Sequence, residues 1–134
     1  MDVVAHFKSA RNILAIPSDV VVFHEGEPGK EMYVLLSGTA DISVGGEVVE
    51  TARAGSLVGE MALINPGGRS ATVITRSDCK FVAIDTRQFD MLVRESPEFA
   101  RHVMEVMAER LRRMNDRLTE AIGELAVRGR RPRH

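Results

Sequence analysis

A chain of 134 residues, 44% hydrophobic and 28% charged with a net charge of -1, has the composition of one ordinary globular domain. Its apolar runs are too short to cross a bilayer, and its near-neutral charge gives no general attraction to nucleic acid or to a membrane surface. A single cysteine, Cys79, excludes an internal disulfide; with no secretory signal pattern at the start, the expected compartment is the reducing cytoplasm.

Apolar residues at positions 3, 4, 7, 10, 13 and 14 fall near helical spacing and end at Pro17-Ser18-Asp19, which predicts an opening amphipathic helix. From Val20 the pattern changes. Short β-rich runs occupy residues 20–23, 32–36, 40–44, 48–52, 71–75 and 80–84, most of them separated by glycine-bearing breaks or charged turns, and Gly45-Gly46 is a two-residue hairpin signal. Many short strands with such turns predict an antiparallel β-roll or jelly roll with flanking helices. Thr86 reads as an N-cap for a helix over residues 86–93, and Ser96-Pro97 as the start of a long one. These bounds give one domain over residues 1–126, with the roll at about 18–85, the C-terminal helices at about 86–126 and a basic tail at 127–134. The tail is expected to be a disordered end or the stump of a linker.

The chemical information is concentrated between Gly55 and Ile74. Gly55 and Gly59 allow close backbone approach to a ligand, and Glu60-Met61-Ala62-Leu63 predicts one short helix whose N–H groups face an anion. Asn65-Pro66-Gly67-Gly68 then reverses the chain and returns Arg69 and Ser70 towards Gly59 and Glu60. Arg69 offers a planar fork of donors for phosphate oxygens, and Ser70 adds a hydroxyl. Beside an anion, the carboxylate of Glu60 suits acceptance of hydrogen bonds from sugar hydroxyls, so a phosphate with an adjacent ribose fits the pair. ATP fits less well, because the Lys-Ser/Thr ending of a P-loop is missing.

Gly59-Glu60-x-Ala62-Leu63 followed by Arg69-Ser70-Ala71-Thr72-Val73 resembles the phosphate-binding cassette of the cyclic nucleotide-binding domain family. Phe23-His24-Glu25-Gly26 and Tyr33-Val34-Leu35-Leu36-Ser37-Gly38 resemble its early strands, and the likeness runs from about Val20 to about Leu118. The resemblance implies that Glu60 binds the ribose 2′-hydroxyl, that Arg69 with Ser70 binds the cyclic phosphate, and that backbone at Gly59, Met61, Ala62 and Ala71 completes the grip. It implies a cyclic nucleotide as ligand, cAMP first and cGMP as the open alternative. It also implies that the last helix covers the base, with Asn115 offering an amide to adenine and Arg110 nearby. Apolar strand residues such as Ile42, Leu57 and Val73 are candidates for the pocket wall or for ordinary core.

On the long helix, apolar residues at Met104, Met107, Leu111, Met114, Leu118, Ala121 or Ile122, and Leu125 form a stripe too long for a roll of this size to cover. A parallel homodimer through that stripe is therefore expected, with methionines making the seam adaptable. The four histidines show no metal-ligand spacing, no nucleophile has a recognisable base, and neither a metal nor catalysis is expected. Cys79 reads as packing. The bacterial activators carry a DNA-binding winged helix after the long helix, whereas this sequence stops. The expectation is a regulatory sensor, either free-standing or part of a larger channel, transporter, enzyme or transcription factor; the alternatives are a dimerising module with a vestigial pocket, or DNA binding through the arginine tail.

Overall fold

The computed structural model describes residues 1–64 and 67–129. In chain order the elements are α1 (Val3–Phe7), β1 (Ile13–Ile16), β2 (Val21–Phe23), β3 (Glu31–Ser37), β4 (Ala40–Val44), β5 (Glu47–Ala52), β6 (Leu57–Val58), α2 (Met61–Ile64), β7 (Thr72–Thr75), β8 (Cys79–Asp85), α3 (Thr86–Glu95) and α4 (Pro97–Gly129). The strands form two four-stranded antiparallel sheets, ordered β1-β8-β3-β6 and β2-β7-β4-β5, the arrangement of a jelly roll.

Alternation along the central strands of the first sheet divides the core in two. Met32 and Val34 of β3, with Val82 and Ile84 of β8, face the helices and pack with Val3, Phe7, Phe99 and Val103. Leu35 of β3 and Phe81 and Cys79 of β8 face the other sheet and pack with Phe23, Ile42, Val58 and Val73. Because both faces of this sheet are covered, neighbours Val34 and Leu35 are both fully buried.

Several elements differ from the sequence reading. The opening helix stops at Phe7, and Ile13 and Leu14, which continue its spacing, instead begin β1, paired with residues 79–82 of β8. Helical periodicity over so short a span gives way to a free sheet edge that accepts β-branched residues. The two-residue strand β6 had no pattern of its own and exists because residues 57 and 58 pair with Val34 and Tyr33. Asp85, one residue before Thr86, caps α3: its side chain accepts from the Gln88 N–H while the Gln88 side chain accepts from the Asp85 N–H. Pro97 does open α4, which runs to Gly129 and so includes Val127 and Arg128. Asn65 and Pro66 of the expected reversal, and Arg130 to His134 of the tail, lie outside the described residues. Gly45 and Gly46, at φ 59° and 84°, make the hairpin between β4 and β5.

Candidate functional site

Between the second sheet and α4 lies a cavity of about 250 Å³. Its lining includes Gly59, Glu60, Met61, Ala62, Arg69, Ser70, Ala71 and Arg110, with Ile42 and Val73 in the apolar wall. Asn115 is exposed and outside this lining, and Leu57 belongs to the helix-side core. One residue per helical step turns the face by about 100°, so α4 presents Met114 to the cavity and carries Asn115 away from it.

Backbone pairing fixes Arg69. Its N–H donates to the Glu27 carbonyl (2.7 Å), its carbonyl accepts from the Gly26 N–H (2.8 Å), and Pro28 forms a bridge with Gly68. The side chain then turns inward until the residue is only 7% exposed. The guanidinium lies over the Phe23 ring at 4.2 Å, and Nη1 donates to the carbonyl of Glu31 at 2.6 Å and more weakly to that of Gly59 at 3.4 Å. It fits there because positions 29 and 59 carry no side chain: a Cβ would stand 2.1 Å from Nε at Gly29 and 2.6 Å from Nη1 at Gly59. Gly59 is required on a second count, its φ of 76°. Nε has no hydrogen-bond partner among the described residues, so a buried cation borders the cavity with donor capacity to spare.

Glu60 follows Gly59 at the start of the single turn α2, which is closed by the Ala62 N–H to Gly59 carbonyl (3.2 Å) and Leu63 N–H to Glu60 carbonyl (3.1 Å) bonds. It is 6% exposed. Its carboxylate does not pair with Arg69; it accepts a hydrogen bond from Nη1 of Arg110 on α4. The same guanidinium grips Glu50 of β5 through Nε (3.1 Å) and Nη2 (3.0 Å), and Nη2 also donates to the Leu57 carbonyl. Burial works against the Arg110 charge, but hydrogen bonding to Glu50 and the nearby charges of Glu60 and Glu50 outweigh it and hold the guanidinium above its ordinary range.

Glu50, Arg113, Met114 and Arg117 also line the cavity, and the sequence reading missed all four as site residues. Arg110, Arg113 and Arg117 fall at spacings of three and four, a pattern that could have shown them sharing one helix face. Glu50 offered no such signal. Opposite β4, Ile42 pairs with Glu50 and Ser43 with Val48, so Val49 is an extra residue, and the bulge brings Val49 and Glu50 together onto the cavity side.

The site can thus hold an anion at Arg69 and Ser70, accept hydrogen bonds from hydroxyls at Glu60, and enclose a planar apolar group between the second sheet and Met114. Among the described residues, no group of three or more His, Cys, Asp or Glu could hold a metal ion, and no helix is long and apolar enough to cross a membrane.

The CRP-like cAMP-activated global transcriptional regulator of Mycobacterium tuberculosis is 32% identical over 111 residues, covering 79% of this chain and 50% of the regulator. The cAMP-dependent protein kinase regulatory subunit of Hypocrea atroviridis is 40% identical over 77 residues, 58% of this chain and 16% of the subunit. The crystal structure of the Thermus thermophilus catabolite activator protein superposes with a TM-score of 0.72 at 26% identity, covering 81% of this chain and 54% of that one. The chain therefore spans about half the length of the bacterial regulators it matches. The family profile described as "Cyclic nucleotide-binding domain" matches residues 14–96, and the chain belongs to that family.

Proposed function

We propose that this chain is a non-catalytic cytoplasmic sensor that binds cAMP and passes the bound state on through α4. The observation that carries the reading is the convergence of Arg69, Ser70, the Gly59-to-Ala62 turn and Glu60 on one cavity, with Glu60 held from α4 by Arg110. In this reading Arg69 and Ser70 take the cyclic phosphate, backbone at Gly59, Met61, Ala62 and Ala71 lines it, and Glu60 takes the ribose 2′-hydroxyl. cAMP is the ligand named for the mycobacterial and fungal relatives. Ligand entering the cavity touches the carboxylate that α4 also touches, so nucleotide and helix position share one energetic balance. Asn115, one step beyond the cavity-lining Met114, is left out of this assignment.

The exposed apolar stripe on α4 is assigned to a second copy of the chain. Leu111, Met114, Leu118, Ile122 and Leu125 are 57–66% exposed, and they follow one another at spacings of three and four. Residues 1–126 constitute the sensor, and the effector lies in a further domain or partner.

Calorimetric titration with cAMP and cGMP tests the ligand, with Arg69→Lys and Glu60→Ala as variants. Arg69→Lys keeps the charge but loses the fork that serves the Glu31 carbonyl and a phosphate together, and binding is expected to weaken by about 2 kcal/mol or more. Glu60→Ala is expected to erase discrimination between a ribose and a 2′-deoxyribose cyclic nucleotide. Undiminished affinity in Arg69→Lys contradicts the assignment.

A further inference from the structure

From Ala108 to Gly129 every residue of α4 except Arg110 is exposed, whereas the first part of the helix is anchored by Phe99, Val103, Val106 and Met107 in the core. Beyond Met107, the polar contacts that tie the helix to the roll come from three arginines: Arg110 to Glu50, Glu60 and the Leu57 carbonyl, Arg113 to Glu50 (3.1 Å), and Arg117 to the Val49 carbonyl (2.6 Å). A helix of 33 residues, about 50 Å long, is therefore packed by apolar contact at one end and tethered by charge along its middle. Glu50 is the one carboxylate in this set that reaches two successive turns of α4, holding Arg110 through both oxygens and Arg113 through Oε1. Its side chain is 16% exposed and that of Arg110 21%, so the Arg110 bonds are shielded from solvent better than an ordinary surface pair, while the Arg113 side chain is half exposed.

Glu60 and Glu50 divide the work on Arg110. A nucleotide that engages Glu60 competes with one arm of Arg110, while the bidentate arm to Glu50 is left in place. We propose that Glu50 is a positioning residue that holds α4 over the cavity before ligand arrives and so sets the fraction of molecules ready to bind. The proposal rests on the cyclic nucleotide reading for its affinity consequence but not for its effect on the helix. Apparent Kd scales inversely with the binding-competent fraction, so loosening the tether weakens binding by the factor by which it depopulates the closed helix.

The test is amide hydrogen exchange across residues 108–118, without nucleotide and at saturating cAMP, in the full chain and its Glu50→Gln variant, with calorimetry on both. Arg113→Gln, which removes one of the contacts to Glu50, serves as a milder second variant. The expected result for Glu50→Gln is faster exchange in this segment by roughly tenfold in the free protein, restoration by cAMP, and a matching rise in Kd. Arg113→Gln is expected to give the same pattern at smaller amplitude, with β3 and β8 as protected as before in both. Unchanged exchange in both variants overturns the proposal whether or not the chain binds cAMP. Faster exchange without a change in Kd overturns the link to binding, and a higher Kd with unchanged exchange shows that Glu50 touches the ligand itself. A chain that binds neither cAMP nor cGMP but shows the exchange difference refutes the proposed ligand and leaves the tether standing.

Discussion

Gly29→Ala separates the fold from the binding site. Nothing about the backbone forbids alanine there, since Gly29 is not in the left-handed region, but its Cβ would lie 2.1, 2.3 and 2.5 Å from Nε, Cζ and Nη2 of Arg69. The guanidinium must therefore leave its slot. It gives up a charged hydrogen bond to the Glu31 carbonyl, which contributes roughly 1.5–3 kcal/mol, and the Phe23 stack, which contributes roughly 0.5–2 kcal/mol. Rehydration of the released cation offsets part of this, and restriction of the unfolded chain by alanine returns about 0.4–1 kcal/mol. The net loss of stability is expected to be about 1–3 kcal/mol by urea denaturation. The loss of binding is expected to be larger, because a displaced Arg69 no longer faces the anion: about 2–5 kcal/mol, or roughly 30-fold to several thousandfold in the Kd for cAMP. Ile84→Val, which trims the helix-side core at a cost of about 1 kcal/mol, is the control and is expected to bind normally. If Gly29→Ala binds cAMP as tightly as the parent, or if Ile84→Val loses as much affinity, the position of Arg69 is not what binding depends on.

Other substitutions probe the remaining parts of the structure. Arg110→Met removes the cation shared by Glu60 and Glu50, whose side chains are 8% and 16% exposed, and is expected to cost about 2–4 kcal/mol in urea melts; adding Glu50→Gln and Glu60→Gln is expected to recover much of it. Gly38→Ala combines a φ of 93° with a Cβ placed 2.4 Å from the Asp78 carbonyl, and is expected to lose about 3 kcal/mol or more, read as a fall in melting temperature. Cys79 is buried, which raises its thiol pKa despite hydrogen bonds at Ser77 and Thr39. It is expected to react with a thiol reagent only on unfolding; its contribution to stability is complete below the unfolded thiol's value of about 8.5 and declines as pH rises towards the higher folded value. Leu118→Glu in the α4 stripe is expected to convert a dimer to monomer in light scattering without changing the melting temperature of the monomer, and a parent chain that is monomeric at high concentration refutes the second-copy assignment.

Legibility in the sequence followed the range of the interactions involved. β-rich composition and the glycine-bearing or charged breaks between runs marked β2, β3, β4, β5, β7 and β8, because residue type and turn chemistry are local properties. β1 and β6 were not legible, since one continues a helical spacing and the other is two residues long, and both are strands only through their partners in β8 and β3. The cassette residues could be read as a unit because they lie close together in the sequence. Glu50, Arg113 and Arg117 could not, because they reach the cavity across more than fifty residues of sequence.

By itself, then, the order of residues determined a strand-rich roll, a short helix behind a glycine and a long helix with an apolar stripe, all features set by neighbours a few positions apart. Tertiary structure alone decided that Arg69 lies under Phe23 and pairs with a carbonyl, and that Glu60 answers to Arg110 on the last helix. A charged side chain takes whichever partner the packed chain places beside it once water is removed; here that choice depends on a bulge in β5, which has no local sequence signature, and on two glycines that the sequence shows but whose nearness to Arg69 it does not.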